Sequence, residues 1–410
     1  MISVQEAKSH ILATIPVLYA EFMPLGEAVG HVLADDLLAP LALPPFRQSS
    51  MDGYAVHHAD ITQANTALPV VAESRAGTEV PLVLERGTAV HILTGAPVPD
   101  GATAVVMREK VRRAGDMATI ELYPVIENEN VRSVGQQIKK GDVALPKGTY
   151  LTPGSVGFLA GLNITTVKVY RKPSVGILVT GDELVQPDGA SSGGVPSGGE
   201  GTLRFGQIYE SSSAMLAAVL RAEGITDIMI RYVADDAPAT VAALRELAEE
   251  NDVVLSTGGV SVGDYDYVGT SLEEIGVETV FYKVRQRPGK PLFFGRNDDT
   301  FIFALPGNPA ATLVCYYQYV LPALRLMSGR KDCFLPKLKL PITHAFSFKG
   351  ERDEFLKATA TTTTVTPLEG QESFVLRSFA MANALIYLPS TQNSVQPGDL
   401  VEAHLLPFFC

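Results

Sequence analysis

Apolar runs and amphipathic segments alternate along the middle of the chain. From residue 172 onward, the pattern predicts strands in SVGILVT, DIMIRYV, DVVLST and VETVFYKV. It predicts helices in YESSSAMLAAVLRAEG, APATVAALRELAEE, TSLEEIG and PAATLVCYYQYVLPALRLM, and a hairpin in PLFFGRNDDTFIFAL. Strands that alternate with helices are typical of βαβ units. This region is therefore predicted to form a parallel, doubly wound sheet covered on both faces.

The flanking regions lack this alternation. Residues 1–40 show helical periodicity and predict two amphipathic helices, the second in LGEAVGHVLADDLLA. Residues 45–150 contain short β-type runs broken by glycine and proline, followed by a helix-like stretch near 153–162. After about residue 330, short strands joined by turns indicate a small β-barrel or sandwich. The predicted fold class is multidomain α/β plus β.

The length of the chain supports several domains. A chain of 410 residues exceeds what one hydrophobic core usually supports. The predicted domains begin with a mixed α/β domain at 1–45 and 140–170, with a β-rich domain inserted at 46–139. A central α/β domain follows at 171–328, and a β-barrel domain at 329–410.

Charge and composition limit the possible partners. The net charge of −12 argues against a broad nucleic-acid surface, because a phosphate backbone would be repelled. Cys315, Cys333 and Cys410 show no metal-binding spacing and are expected to be reduced thiols. The N-terminal pattern is that of an amphipathic helix and not of a signal peptide, and no apolar run reaches the ~20 residues of a membrane span. A cytoplasmic protein without membrane contact is expected.

Three loops follow predicted strands and are candidates for ligand binding. They are TGDEL at 180–184, STGGVSVGDYDYV at 256–268 and LPGNPA at 305–310. In doubly wound sheets, ligands bind outside the carboxyl ends of the strands. Glycines let backbone N–H groups approach a phosphate closely, and a helix start adds free donors. A plain strand-to-helix turn remains an alternative for LPGNPA, whereas Gly258, Gly259 and Gly263 are more glycines than one turn requires.

Charged residues near these loops suggest a bound metal and an anion. Carboxylates would repel a phosphate unless Mg²⁺ bridges them, which makes candidates of Asp182, Glu183, Asp235, Asp264 and Asp266. Exposed loop acids and helix N-caps are the alternative, and Asp236 is predicted to be an N-cap. The segment KVRQRPGKP at 283–291 concentrates Lys283, Arg285, Arg287 and Lys290. It would bind an oxyanion, or else be the solvated end of a hairpin.

Several motifs together resemble one protein family. PPFRQSSMDGYAV, ILTGAPVPDGATAVV, VRSVGQQIKKGD, TGDEL, STGGVSVGDYDYV, RPGKPL and LPGNP occur in the order seen in the MoeA/gephyrin E-domain family. The resemblance runs nearly end to end, and SSMDGYAV and STGGVSVGD are specific to that family or its close relatives. The chain thus resembles the molybdopterin molybdenumtransferases, with a MogA-like central domain.

The resemblance implies a Mg²⁺-dependent step of molybdenum cofactor synthesis. Molybdate would be inserted into adenylated molybdopterin with release of AMP. The family's elongated homodimers share an active site between the α/β domain of one subunit and the N-terminal β domain of the other. Asp52 and Thr94 would therefore come from the partner chain. An adenylyltransferase is a possible further partner.

The resemblance also assigns roles to residues. Catalytic roles are implied for Asp52, Glu183, Asp235, Asp266 and Lys283, the last as a further anion contact. The metal ligands would be Glu183, Asp235 and Asp266. Substrate-binding roles are implied for Thr94, Gly258, Gly259, Ser261, Arg287, Lys290, Pro306, Asn308, Pro309, Arg352 and Ser373. Of these, Arg287, Lys290, Arg352 and Ser373 would bind molybdate.

The chain departs from the family pattern at four positions. Gln137 replaces an acidic residue, Ser212 replaces Asn, Ala311 lacks a hydroxyl, and Arg287 stands where Lys is common. These changes leave open a paralogue or scaffold that binds molybdopterin with reduced catalysis, and a tungstate-inserting enzyme. An adenylyltransferase is a third alternative, against which the N-terminal β region and the C-terminal barrel argue.

Overall fold

The chain folds into two compact units. The structure is a computed structural model that describes residues 1–187, 203–258, 267–348 and 351–407. The larger unit consists of Met1–Glu21, Gly30–Ala34 and Val169–Cys410, and the smaller unit of Phe22–Val29 and Asp35–Lys168. The glycine- and serine-rich loop 188–201 lies outside the described residues. The finer division into four domains stays a prediction.

A six-stranded sheet forms the centre of the larger unit. Its strands in spatial order are Ile228–Val233, Val175–Thr180, Val253–Thr257, Thr300–Leu305, Phe293–Asn297 and Glu278–Tyr282. The first four are parallel, and the fifth pairs antiparallel with the fourth as the predicted hairpin. The last strand, within VETVFYKV, pairs antiparallel with the fifth, so the sheet is parallel at its centre, as predicted, and antiparallel at this edge because the hairpin reverses the chain. Val179 pairs with Thr257 and Thr257 with Leu305, so three strands end at the same level. The loops that follow them therefore begin at one edge of the sheet.

Helices cover both faces of this sheet. Their bounds are Val4–Thr14, Ser212–Ala222, Ala237–Glu250, Tyr267–Glu274 and Pro309–Cys315, which continues through a π-helical turn at Tyr316–Val320 into Leu321–Met327. One core contains residues of Val4–Thr14 and Ser212–Ala222, and the core on the opposite face contains residues of Ala237–Glu250. Pro322 has no N–H to donate, and the helix widens in the turn before it.

A second six-stranded sheet forms the C-terminal part of the larger unit. Its strands are Gln286–Arg287, Asp353–Ala360, Ala384–Leu388, Leu400–Leu405 and Lys337–Pro341, with Val365–Pro367 beside Asp353–Ala360. Smaller elements are the pair Phe346–Ser347 and Ser394–Val395, the pair Leu184–Val185 and Ile208–Tyr209, and the helix Arg377–Ala380. Gln286 pairs with Asp353 and Arg287 with Glu354, so the RPGKP segment is hydrogen-bonded to the C-terminal sheet.

The smaller unit is mostly β structure. Its main sheet has the order Ala104–Met107, Gly53–Val56, Ala89–Ile92, Thr66–Ser74, Met117–Ile120 and Val111–Ala114. Gln48–Ser49 pairs with Val131–Arg132 and Leu37–Leu38 with Val143–Leu145, and one helix covers Pro153–Gly161. Short 3₁₀ turns lie at Leu25–Glu27, His58–Asp60 and Arg108–Lys110. Where the chain passes between the units, it carries the strands Ala20–Pro24, Val32–Leu33 and Thr166–Tyr170.

The predicted fold class is confirmed, but the second helix predicted within residues 1–40 is wrong. Within LGEAVGHVLADDLLA only Leu25–Glu27 is helical, as a 3₁₀ turn. Gly30 has a φ of +82°, which ends the helical path, and the buried Val32 and Leu33 then pair as a strand with Tyr170 and Val169. The spacing of apolar residues resembled a helix because buried positions of short strands and turns happened to recur at similar intervals. None of the helices in the described ranges is long and apolar enough to span a bilayer.

Candidate functional site

Three loops meet at the carboxyl edge of the central sheet, as predicted. They begin at Gly181, Gly258 and Pro306. A Cβ on Gly258 would lie 3.3 Å from the carbonyl oxygen of Thr180, and the φ of Gly258 is +89°. A Cβ on Gly307 would lie 3.5 Å from the Cα of Gly258. Glycine adopts this φ at little cost, so Gly258 lets the loops approach one another closely.

A cavity of about 900 Å³ opens beside these loops in the larger unit. This volume lies in the range of small-molecule and cofactor sites. The predicted residues that line it are Glu183, Gly258, Arg287, Lys290, Pro306, Asn308, Pro309, Arg352 and Ser373. The fold thus brings together residues from both the central α/β region and the C-terminal sheet.

Three cations give one wall of this cavity a positive charge. Arg287 and Lys290 are exposed, and Arg352 is half-buried. The carboxylate of Glu354, a residue only 7% exposed, lies 3.8 Å from the guanidinium of Arg287. Burial raises the pKa of Glu354, while the charges of Arg287 and Arg352 oppose that rise. These cations bring positive charge and N–H donors to the wall, which can bind an oxyanion through both.

Ser373 lines the cavity and is held through both its side chain and its backbone. The side-chain amide of Asn308 donates to Oγ of Ser373 at 2.8 Å, and the N–H of Ala311 donates to its carbonyl oxygen at 3.3 Å. Asn308 is the residue before the helix Pro309–Cys315. The predicted LPGNPA loop therefore contacts the predicted oxyanion-binding serine directly.

The structure describes two of the three predicted metal ligands, Glu183 and Asp235. Glu183 lines the cavity, whereas Asp235 does not. The N–H of Asp235 donates to the carboxylate of Asp182 at 3.0 Å, and the N–H of Asp182 donates to that of Asp235 at 3.4 Å. Burial, and the nearby charge of Asp182, raise the pKa of Asp235. Within the described ranges, no group of three or more His, Cys, Asp or Glu residues could hold a metal ion.

Part of the predicted site lies outside the described residues. This holds for Gly259, Ser261 and Asp266, and also for Asp264 and Gly263 of the same loop. The roles assigned to these residues stay predictions. Asp236, by contrast, is confirmed as a helix N-cap, because its carboxylate accepts the N–H of Ala239 at 2.9 Å.

Asp52 and Thr94 form a pair in the smaller unit. The N–H and the hydroxyl of Thr94 both donate to Oδ1 of Asp52, each at 2.7 Å. These two hydrogen bonds lower the pKa of Asp52, so the carboxylate is held ionised in one orientation. Asp52 is exposed and directly precedes the buried strand Gly53–Val56. An oriented, exposed carboxylate is suited to contact a ligand or a metal.

Neither Lys283 nor Gln137 is among the residues that line the 900 Å³ cavity. The ammonium of Lys283 lies 4.4 Å from the ring centroid of Tyr282, and the residue does not line the 900 Å³ cavity. Gln137 lines a different cavity of about 460 Å³ in the smaller unit, together with Gln48, Arg132 and Gln136. The fold therefore gives Lys283 no place in the larger cavity.

Sequence reasoning missed several residues that line the larger cavity. Glu210 is 4% exposed, and its carboxylate accepts the N–H of Ser213 at 2.8 Å. The acidic residue before the serine run in YESSS was an available signal for it. Gln371, Glu372 and Phe374 also line the cavity. They lie in a turn-rich segment with no hydrophobic period, so the pattern held no signal for them.

Comparisons with protein families cover most of the chain. Residues 2–162 match the MoeA N-terminal region (domain I and II), and residues 339–406 match the MoeA C-terminal region (domain IV). Residues 176–326 match the family described as a probable molybdopterin binding domain. The three matches follow one another in the order expected for one multidomain protein.

Curated relatives and solved structures agree with these matches. The chain is 33% identical to the molybdopterin molybdenumtransferase of Haemophilus influenzae over 417 residues, covering 98% of each chain. It is 32% identical to that of Staphylococcus epidermidis, covering 98% of this chain and 95% of the relative. The molybdopterin biosynthesis MoeA protein of Pyrococcus horikoshii superposes with a TM-score of 0.83 at 29% identity, covering 99% of this chain and 100% of that structure. The resemblance noted in the sequence thus extends over the whole fold, and this chain belongs to the MoeA family of molybdopterin molybdenumtransferases.

Proposed function

We propose that this protein, a transferase of molybdenum cofactor biosynthesis, inserts molybdate into adenylated molybdopterin in a Mg²⁺-dependent reaction that releases AMP. The observation that carries the proposal is one cavity lined by both cations and strand-end loops. Arg287, Lys290 and Arg352 line it together with Ser373 and with the loops that begin at Gly258 and Pro306. A reaction between an oxyanion and a phosphate-bearing pterin requires that a cationic wall for the oxyanion and a wall of backbone loops for the phosphates line the same cavity.

The cationic wall is suited to molybdate. A tetrahedral dianion needs several positive charges and donors converging on its oxygens. Arg287, Lys290 and Arg352 supply the charges, and the hydroxyl of Ser373 supplies a neutral donor or acceptor. Asn308 donates to the oxygen of that hydroxyl, which leaves the hydroxyl hydrogen free to point toward an anion.

The loop wall is suited to the phosphates of the adenylated pterin. Backbone N–H groups of glycine-containing loops can approach phosphate oxygens without obstruction by side chains. Gly258, Pro306 and Pro309 line the cavity, and the two prolines restrict the turn before the helix. Cleavage of a phosphoanhydride depends mainly on positioning and on neutralisation of charge, which such a wall favours.

The carboxylates near the loops fit a hydrated Mg²⁺. Mg²⁺ is usually held by one or two carboxylates, several waters and substrate phosphates, so a complete protein cage is not required. Glu183 at the cavity, with Asp235 and Asp266, would hold the ion. When bound, the ion would neutralise charge on the phosphate oxygens. Asp182 is a further candidate, because its carboxylate is hydrogen-bonded to the backbone of Asp235 at 3.0 Å.

The proposal includes a cytoplasmic homodimer. By resemblance to the family, the oriented carboxylate of Asp52, with Thr94, would serve the active site of the partner subunit. An adenylyltransferase would supply the adenylated substrate. The hydrogen-bonded Asp52–Thr94 pair supports the role proposed for Asp52 in an active site. An exposed carboxylate that is held by two donors is oriented to contact a ligand.

AMP release tests this function. Purified protein would be given adenylated molybdopterin and Mg²⁺, with molybdate, with tungstate or with no oxyanion. Release that depends on molybdate, and that stops with a chelator and returns with Mg²⁺, is the expected result. Tight binding of the pterin without release would instead support the scaffold or paralogue, and release with tungstate alone would support a tungstate-inserting enzyme.

A further inference from the structure

We infer that Lys357 is a positioning residue for the oxyanion-binding wall, holding from the protein interior the loop that carries Ser373. Lys357 lies on the strand Asp353–Ala360 and is only 2% exposed. It does not line the cavity. A buried ammonium is costly unless it is paired or fully hydrogen-bonded, so its presence in this position calls for a specific set of partners.

Those partners all belong to one loop. The Nζ of Lys357 lies 2.6 Å from the carbonyl oxygen of Gly370, 3.2 Å from that of Glu372 and 2.9 Å from that of Val375. An ammonium has three N–H donors, and here each has a backbone acceptor. Among the residues that the structure describes, no carboxylate forms an ion pair with Lys357. The single ammonium of Lys357 therefore holds three carbonyls of the loop 370–375 together.

The backbone of Lys357 holds the same loop. Its N–H donates to Oε1 of Gln371 at 2.9 Å, and its carbonyl oxygen accepts from Nε2 of Gln371 at 2.8 Å. The hydroxyl of Ser378 donates to the carbonyl of Gly370 at 2.7 Å. Contacts from the interior thus fix the loop on one side.

The other side of this loop is the cavity wall. Gln371, Glu372, Ser373 and Phe374 line the cavity, and Oγ of Ser373 accepts from Asn308. Glu372 and Ser373 lie between the outer two carbonyls that Lys357 binds. Displacement of those carbonyls would therefore move Ser373 relative to Arg287 and Lys290.

This role rests on the proposed function and specifies how its oxyanion site is built. Loss of the ammonium removes the one donor that the three carbonyls share and leaves them only hydrogen bonds from neighbouring residues, namely the hydroxyl of Ser378 and the N–H of Val375. The loop is then expected to relax away from the cations. The Kd and the KM for molybdate should then rise. The KM for adenylated molybdopterin should rise by a smaller factor, because Lys357 acts on the loop at Pro306 indirectly, through the hydrogen bond between Ser373 and Asn308.

The test compares Lys357→Met and Lys357→Arg with Lys8→Met. Lys8 is a matched control, because it is also buried, donates at 2.7 Å to Gln318, and does not line the cavity. Molybdate binding is measured by calorimetry, and both KM values by AMP release. Lys357→Met should raise the Kd and KM for molybdate at least about tenfold, the smallest loss expected for one hydrogen bond to a charged group. Lys357→Arg should lie between Lys357→Met and the wild type, and Lys8→Met should keep the wild-type Kd.

Ser378→Ala provides a milder variant should Lys357→Met not fold. It removes one support of the same loop and should raise the Kd for molybdate by a smaller factor. An unchanged Kd in the Lys357 and Ser378 variants, or an equal rise of both KM values, would overturn the inference. Failure of the proposed function is distinct from this, because it would appear as wild-type protein that binds molybdate but releases no AMP.

Discussion

The side-chain amide of Asn308 and the hydroxyl of Ser373 are joined by a hydrogen bond of 2.8 Å, although 65 residues separate them in the chain. Asn308 precedes a helix of the central α/β region, and Ser373 lies on a loop of the C-terminal part. The contact joins the wall proposed for phosphates to the wall proposed for molybdate. A ligand on one wall can therefore affect the geometry of the other.

Arg352→Gln should weaken molybdate binding. The substitution removes a cation from the cavity wall, and a hydrogen bond to a charged group is worth roughly 1.5–3 kcal/mol. The KM for molybdate should rise about tenfold to a hundredfold, with a smaller change in the KM for the pterin substrate. Lys339→Gln is the control, since Lys339 is an exposed cation of the C-terminal sheet that does not line the cavity. Equal effects of the two variants would contradict the oxyanion site.

Asp52→Asn and Glu183→Gln should each be nearly inactive but should complement one another. The proposed dimer draws Asp52 and Glu183 of one active site from different subunits. After mixing and exchange of subunits, about half of the dimers hold one copy of each variant and one intact site, which predicts roughly a quarter of the wild-type rate. AMP release before and after mixing measures this. No recovery, despite mixed dimers detected by differently tagged subunits, would contradict the shared site.

Lys8 should make the stability of the larger unit depend on pH. Burial, and the nearby charge of Lys337, lower the pKa of Lys8 to about 7 from its ordinary value of 10.5. Between these values the unfolded chain holds the proton and the native protein does not. The free energy of unfolding therefore rises with pH from about 7 to 10.5, and this contribution is lost as the pH falls through 7.

Denaturant unfolding of the wild type and of Lys8→Met at pH 7 and pH 9.5 tests whether the free energy of unfolding rises with pH because of Lys8. The wild type should gain roughly 3 kcal/mol more than the variant over this interval, because each pH unit between the two pKa values contributes about 1.4 kcal/mol. Lys339→Met, at an exposed position, should behave as the wild type does. A difference between the wild type and Lys8→Met that stays constant with pH would contradict the assignment.

Gly258→Ala should disturb the loop wall. The new Cβ would stand at a φ of +89° and 3.3 Å from the carbonyl oxygen of Thr180. A left-handed conformation costs a residue with a Cβ about 1–2 kcal/mol, so the loop should shift and the KM for adenylated molybdopterin should rise. Gly269→Ala is the control, because no atom would lie within 4 Å of that Cβ and Gly269 is in a helix. Unchanged kinetics in Gly258→Ala would argue against a phosphate-side role for this loop.

Local sequence patterns were sufficient to predict the central part of the fold and the strand ends beside which the cavity opens. Buried parallel strands such as Val175–Thr180 are continuous apolar runs, and parallel strands end at one edge of a sheet. The sequence alone therefore predicts that the loops at Gly181, Gly258 and Pro306 lie together. The cations Arg287 and Lys290 follow from their position in the RPGKP turn, together with the resemblance to the family.

The other residues of the site depend on contacts between segments that are distant in the sequence. Lys357 occupies a strand position where an apolar residue would be expected, and only the structure reveals the three carbonyls that accept from it. Gln371 and Phe374 reach the cavity because their loop is folded back, which no periodic pattern predicts. The false helix of residues 25–39 has the opposite cause, since a local pattern was overridden by turns at Gly30 and by strand pairing of Leu33.

The most direct test of the account is the stoichiometry of a single turnover. Wild-type protein loaded with adenylated molybdopterin would receive molybdate and Mg²⁺, and the released AMP and the molybdenum bound to the pterin would be measured together. Insertion predicts about one molybdenum atom in the pterin product for each AMP released, with little release when molybdate is omitted. AMP released at the same rate without molybdate, or without molybdenum in the product, would contradict the central claim that the cavity joins the two substrates in one reaction.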